Sequence, residues 1–412
     1  MTTLTPPPCH EPAGCPVQGA GKEGVDDMSH RLVILGAGYA GLAAARRAAA
    51  RLRRPDVRVT LVNATDRFVE RVRLHQLAVG QDLREHPLAP LAAAAGIELV
   101  VARVTSVDLA TRTVRLDAAP HAVGYDTLVY ALGSGADTAG VPGVAEHALT
   151  VAETEQAERV RAHVATLPSG GVVAVVGGGL TGIEIAAELA ESHPRLRVEL
   201  LTSGGVGDWL CASARDHLRR AFDRLGVGVH EDSRVVKVGE GALLLDDGRD
   251  RQADAVVWAA GFRVPDLAAR AGLAVDDRGR MVVDETLRSV SHPDVYGIGD
   301  AAAAAAIDGA ETRLSCQTAL PMGLYVADAI TDVLTGRTPK PVRVRYFWQN
   351  VSLGRRDGVT QFTRADDSPV DRVLTGRVSA RFKEVITRGA AFSARRPGPY
   401  LPHRRRAPRS SA

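Results

Sequence analysis

Two stretches of this chain follow one rule. Residues 31–47, RLVILGAGYAGLAAARR, and residues 172–191, VVAVVGGGLTGIEIAAELAE, each run from a short Val/Ile/Leu strand through G-x-G-x-x-G into an Ala-rich helix. Gly36, Gly38 and Gly41 of the first stretch match Gly177, Gly179 and Gly182 of the second, 141 residues further on. In such a turn the first glycine permits the tight bend and the second lets a pyrophosphate approach the backbone. The third lets helix pack closely on strand, and the phosphates meet free N–H groups at the positive end of the helix. One such motif also serves mere packing. Two, each preceded by a strand and opening a helix, predict two dinucleotide sites.

The strands that follow repeat as well. VRVTLVN (57–63) and LRVELLT (196–202) are second strands of their units, and aligning them sets Thr202 opposite Asn63. YDTLVYALGS (125–134) and ADAVVWAAGF (253–262) are strands running into glycine turns at Gly133 and Gly261. HPDVYGIGDAA (292–302) is another such strand, with Asp300 at its tip, and it lies after the second unit has closed. This alternation predicts an α/β chain with two Rossmann-like domains. The economical division is a first domain of residues 30–150 and 266–335, a second of 151–265 inserted into it, and a C-terminal extension of 340–412. Residues 1–28, rich in Pro and Gly and without periodicity, are expected to be a disordered tail, with Met28 a possible true start.

A length of 412 residues suits two or three domains. The net charge of +3 hides an asymmetry: residues 376–412 hold ten Arg/Lys against Glu384 alone, a net +9, which leaves −6 for the rest. Only the tail is basic, and it lacks any element that reads nucleic acid, so none is expected as a partner. The four cysteines, Cys9, Cys15, Cys211 and Cys316, offer neither C-x-x-C nor C-x-x-x-x-C spacing. That speaks against dithiol relay chemistry and against a disulfide framework. Cys9, His10 and Cys15 make weak metal ligands in a floppy tail, and no metal is expected. No apolar run reaches the ~18 residues a membrane span needs, and the N-terminus lacks a secretory pattern, so a cytoplasmic protein is expected.

With both glycine turns and YGIGD in place, residues 30–390 resemble the flavoproteins with two dinucleotide-binding domains. Within that group they resemble the type II NADH dehydrogenases and the apoptosis-inducing-factor-like oxidoreductases. The resemblance implies FAD in the first fold and NADH or NADPH as co-substrate in the second, with hydride passing from nicotinamide to flavin and on to a small electron acceptor. It assigns Asp300 to the ribityl chain. RLHQLAVG (73–80) is similar to the family's L-Y-Q-V-A-T-G stretch beside the isoalloxazine, with His75 at the tyrosine's place, facing flavin or acceptor or merely packing. Glu184 matches the glutamate of G-x-E-x-A near the nicotinamide, although a helix dipole would favour an acid there without any ligand.

The chain departs from that pattern in places. Asn63 stands where the family carries a glutamate for the adenosine ribose, and an amide can still accept from and donate to hydroxyls. Thr202 is followed by Ser203, Gly204 and Gly205, neither an acid for NADH nor an arginine for a 2′-phosphate, so cofactor preference stays open. In SCQTALPMG (315–323), Gln317 matches the first glutamine of A-Q-x-A-x-Q in the quinone pocket, but Pro321 replaces the second. Proline has no side-chain amide to offer a quinone, and within a helix it removes a hydrogen bond. GRVSARFKEVITRGAAF sets Val378, Phe382, Val385 and Phe392 among Arg377, Arg381, Lys383 and Arg388, like a basic interfacial helix that contacts a membrane peripherally. The same stripe could pack on the flavin domain, and Gly389 with the Pro-rich end argues against a long docking helix. The rival functions are a reductase for an iron–sulfur or biosynthetic partner and a flavin-bound redox sensor or scaffold. The oligomeric state is not legible.

Overall fold

The computed structural model describes Met1 and residues 29–53 and 56–396. The expected disordered tail, the Cys9–His10–Cys15 group, Met28 and the arginines beyond 396 lie outside the described residues. A five-stranded parallel sheet runs in the order Val295–Gly297, Thr127–Tyr130, His30–Leu35, Val57–Asn63, Glu98–Val101. A second runs Gly228–His230, Arg197–Leu201, Val172–Val176, Ala255–Trp258, Leu149–Thr150, again all parallel. Parallel sheets bury both faces, so their strands read as continuous apolar runs. Leu32 to Leu35 are accordingly fully buried.

Each sheet carries the same companion, a three-stranded antiparallel sheet, within residues 104–124 and 235–252. Val144 already packs in the second unit's core with Val176 and Trp258, so that core reaches ahead of residue 151. In the first unit the glycine helix Tyr39–Arg51 lies along the helix Cys316–Leu334. A side chain at Gly323 would strike the Ala40 carbonyl, which is how closely these two helices cross.

Residues 348–375 form an antiparallel sheet of three strands, Trp348–Ser352, Gly358–Thr363 and Pro369–Thr375, followed by the helix Gly376–Arg395. The helix runs straight through Gly389, whose ~1 kcal/mol propensity cost is offset by packing on this sheet and on the first glycine helix. It sends Phe382 inward, edge-on to Trp348 at 5.5 Å. Val378, Val385 and Phe392 stay outside, 63%, 67% and 53% exposed at steps of seven residues. Among the described residues no helix is long and apolar enough to cross a membrane.

Candidate active site

The first glycine turn is built as its spacing requires. Gly36 has φ +95°, and a Cβ there would lie 2.5 Å from the Ala131 carbonyl oxygen. A Cβ on Gly41 would collide with the Gly36 carbonyl, whereas one on Gly38 would meet open space, the side left for phosphate. Asn63 is part of this turn: its Oδ1 accepts from Ala37 N at 2.8 Å and its Nδ2 donates to the Thr65 carbonyl at 2.8 Å. Its amide therefore braces the loop.

The strand tip beside it gathers a second set. Asp300 sits on a turn whose Gly299 has φ +69°, and its Oδ2 accepts from Ser134 Oγ at 2.8 Å. Arg71 reaches the same place, donating to the Ser134 carbonyl at 2.6 Å, 3.6 Å from Asp300 and over the Phe262 ring. Burial lowers the Arg71 guanidinium from its ordinary pKa, against the pull of Asp300. Gly133, at φ +68°, opens the backbone next to Ser134. Gln317 opens the helix capped by Ser315; its Oε1 accepts from Arg313 at 2.7 Å while its buried Nε2 has no partner. Pro321, exposed on the same helix, has no N–H for the Gln317 carbonyl four residues back. Burial pushes the Cys316 thiol up to about 11, which favours its protonated form at neutral pH.

The second turn copies the first. Gly177 has φ +125° against the Ala259 backbone, and a side chain on Gly182 would collide with the Gly177 carbonyl. Gly261 has φ +82°, beside Asp137. Thr202 is buried under Gly178. The loop beyond Thr202, neutral in sequence, acquires charge in the fold: Asp208 folds back to accept from Gly205 N at 2.8 Å, and Arg215 lies 3.6 Å from Asp208.

Glu184, two residues past Gly182 on the helix that the second turn opens, meets His75. Glu184, 3% exposed on the helix Leu180–Ser192, accepts from Ser352 N at 2.9 Å and pairs with Lys383 Nζ, so the C-terminal segment covers it from two sides. His75, 4% exposed on Leu74–Ala78, places Nδ1 3.7 Å from Glu184 and Nε2 4.0 Å from Glu188. Burial drives His75 well below its ordinary pKa, with Lys383, Arg355 and Arg73 adding to it, so the imidazole is neutral. Burial raises the Glu188 carboxyl against Arg355, and it pulls Lys383 down to about 7, with Arg73 helping and Glu384 opposing. The fold thus joins Glu184 to His75, and Asp300 to Gly133. Ser134, Arg71, Lys383, Glu188, Ser352 and Asp208 were not legible as site residues. Only Lys383 carried a signal, as the one lysine in an arginine-rich helix.

Residues 30–323 match the family described as pyridine nucleotide-disulphide oxidoreductase. The chain belongs to that family. Within it, the chain is 32% identical over 351 residues to an NADH dehydrogenase-like protein of Mycobacterium tuberculosis, covering 80% of this chain and 87% of that one. It is 27% identical over 396 residues to a type II NADH:quinone oxidoreductase of Staphylococcus haemolyticus, covering 88% and 95%. The sulfide:quinone oxidoreductase structure from Aquifex aeolicus shares the fold with TM-score 0.74 and 20% identity, covering 89% of this chain and 92% of that one. Among the described residues the cysteines, Cys211 and Cys316, are both free thiols. The chain is an FAD-dependent NAD(P)H oxidoreductase. The residues present fit FAD: an open Gly38, an orphan amide donor on Gln317, and a carboxylate held by Ser134 beside an arginine.

Proposed function

We propose that this enzyme passes electrons from NAD(P)H to a small quinone-type acceptor, with Glu184 and Lys383 as the proton-holding pair. FAD, when bound, takes hydride from the nicotinamide and returns the electrons to the acceptor. The chain's own residues position the rings and manage protons. The glycine turns and Asp300 bind, Gln317 Nε2 offers a donor, and Lys383 can gain and lose a proton near neutral pH. The single observation that carries the reading is that buried pair. Reducing a quinone to quinol adds two hydrogens, one carried in by the hydride, so NADH + H⁺ + quinone giving NAD⁺ + quinol draws one further proton, whereas an iron–sulfur acceptor takes electrons alone and needs no such donor.

The test is anaerobic reduction by NADH, then stopped-flow reoxidation by soluble quinones, oxygen, ferricyanide and iron–sulfur proteins. Quinone reoxidation is expected to be the reaction that Lys383→Met slows, and a rate confined to iron–sulfur proteins would overturn the reading. Because Pro321 leaves no second amide, Pro321→Gln is expected to raise kcat/KM for a short-chain quinone only a few-fold to about tenfold, one hydrogen bond being worth ~0.5–1.5 kcal/mol.

Cofactor preference follows from the 203–208 loop. Asp208 can accept from a ribose diol and Arg215 can meet a 2′-phosphate, so the two effects oppose each other. kcat/KM for NADH and NADPH is expected to agree within about tenfold, ~1.4 kcal/mol, in steady-state assays.

A peripheral membrane position is supported by the exposed stripe of Val378, Val385 and Phe392, bordered by Arg377, Arg381 and Arg388. Flotation with phosphatidylglycerol vesicles is expected to retain the protein, and Val385→Asp with Phe392→Asp to release it.

A further inference from the structure

Between the C-terminal helix, the hairpin turn at residues 353–357 and the segment before His75 lies a cavity of about 430 Å³. Five bases and one acid line it. The acid, Glu384, is already committed: it accepts from both Arg73 Nη atoms at 2.9 Å and from Arg388 at 2.6 Å. Lys383 is paired with Glu184, and Arg355 lies 3.5 Å from Glu188 and 3.9 Å from Glu384. Arg356, Arg377 and Arg381 have no hydrogen-bond or carboxylate partner among the described residues, yet they come to this one cavity from two separate segments.

The wall that carries them is braced. Arg355 N donates to Glu191 at 2.6 Å, Leu353 N to the Asp357 carbonyl at 3.1 Å, and Asp357 bonds His217 at 2.8 Å. Arg377 and Arg381 project from successive turns of one helix, four residues apart, on a shared face. Unpaired like charges gathered on rigid supports repel one another, and fold stability does not account for them. Exposed guanidinium forks around one cavity can match phosphate oxygens bidentately. The cavity exceeds a lone phosphate and suits a phosphorylated organic group. Arg377 and Arg381 also border the exposed Val378–Val385–Phe392 stripe, so a bilayer under that stripe would bring lipid phosphates to the cavity mouth.

We propose that this cavity is a binding site for a phosphate-bearing ligand, held by Arg356, Arg377 and Arg381. The site does not depend on which acceptor the enzyme uses. The ligand's phosphate belongs either to an anionic lipid headgroup or to a free phosphorylated molecule, and one experiment separates them. FAD-loaded enzyme is titrated calorimetrically with inorganic pyrophosphate at low ionic strength, alongside Arg377→Gln/Arg381→Gln, Arg356→Gln and, as a charge control outside the cavity, Arg103→Gln, an exposed arginine of the first unit. The native enzyme is expected to show a saturable site that the double variant weakens at least tenfold, that Arg356→Gln weakens less, and that Arg103→Gln leaves within about twofold. FAD content and NADH-driven flavin reduction stay unchanged in all of them. Displacement of the protein from phosphatidylglycerol vesicles by pyrophosphate identifies the headgroup as the source. Pyrophosphate binding without vesicle competition identifies a free phosphorylated molecule. No saturable binding, binding equal in native and double variant (which would assign it to the glycine turns), or equal losses in Arg103→Gln would overturn the proposal.

Discussion

Replacing Gly182 by alanine gives a protein that stays yellow but that NADH reduces far less efficiently, whereas replacing Gly41 gives one that loses its flavin. In each turn the added methyl would fall on a backbone carbonyl, that of Gly177 or of Gly36, and no flexible side chain can yield to it. Relief requires moving strand and helix apart, at the cost of the close packing that points N–H groups toward phosphate. Overpacking of this kind costs ~1–3 kcal/mol, so kcat/KM for NADH falls about 5- to 150-fold in Gly182→Ala. The two sheets are separate structures, so each lesion stays in its own half. The flavin spectrum and anaerobic NADH titration read the two effects independently. Two variants that both keep flavin and both accept hydride as readily as the native enzyme would show that these turns are packing features.

Lys383→Met removes the positive partner of Glu184 and leaves a carboxylate at 3% exposure. Losing one member of a buried pair costs ~3–5 kcal/mol, and Glu184→Gln/Lys383→Met recovers most of it because an amide needs no counter-charge. Chemical denaturation checks both. The kinetic consequence has a definite sign. Lys383 is protonated below about 7 and neutral above, so transfer to a quinone in the native enzyme falls as pH rises through that value. The inflection is absent in Lys383→Met, while flavin reduction by NADH, which needs no proton from this pair, keeps its rate across the same range. An unchanged inflection in the variant would assign the proton to another group.

The nucleotide grips were legible because their chemistry is local. A strand, three glycines and a helix are contiguous, and Gly36, Gly177 and Gly261 adopt the positive φ that only a fold with such turns requires. The position of Asp300 at a glycine-flanked strand end was legible too. The rest was written across distance. Arg71 reaches Ser134 over 63 residues and Lys383 reaches Glu184 over 199, and no periodicity announces such meetings. His75 illustrates the opposite case: visible as a residue, it proved to face Glu184 and Glu188, and burial makes it neutral. The loop after Thr202 read as uncharged because Asp208 and Arg215 become its neighbours only when the chain folds back. Gly389 read as a helix breaker, but sheet packing on one side of the helix outweighs a propensity cost.

The place of Val295–Gly297 in the first sheet sets a timetable for synthesis. That strand pairs with Thr127–Tyr130, while every strand of the second sheet lies between Leu149 and Trp258. On the ribosome the second unit has all its strands some forty residues before the first can close its edge. The Thr127–Tyr130 flank must wait, unpaired and apolar, while a whole domain forms beside it. The Asp300 turn therefore cannot form until about three-quarters of the chain has emerged, and Glu184 is covered later still, when Ser352 and Lys383 arrive. Arrest during this interval exposes an open strand edge, which makes late truncation of this chain a route to aggregation rather than to a smaller enzyme.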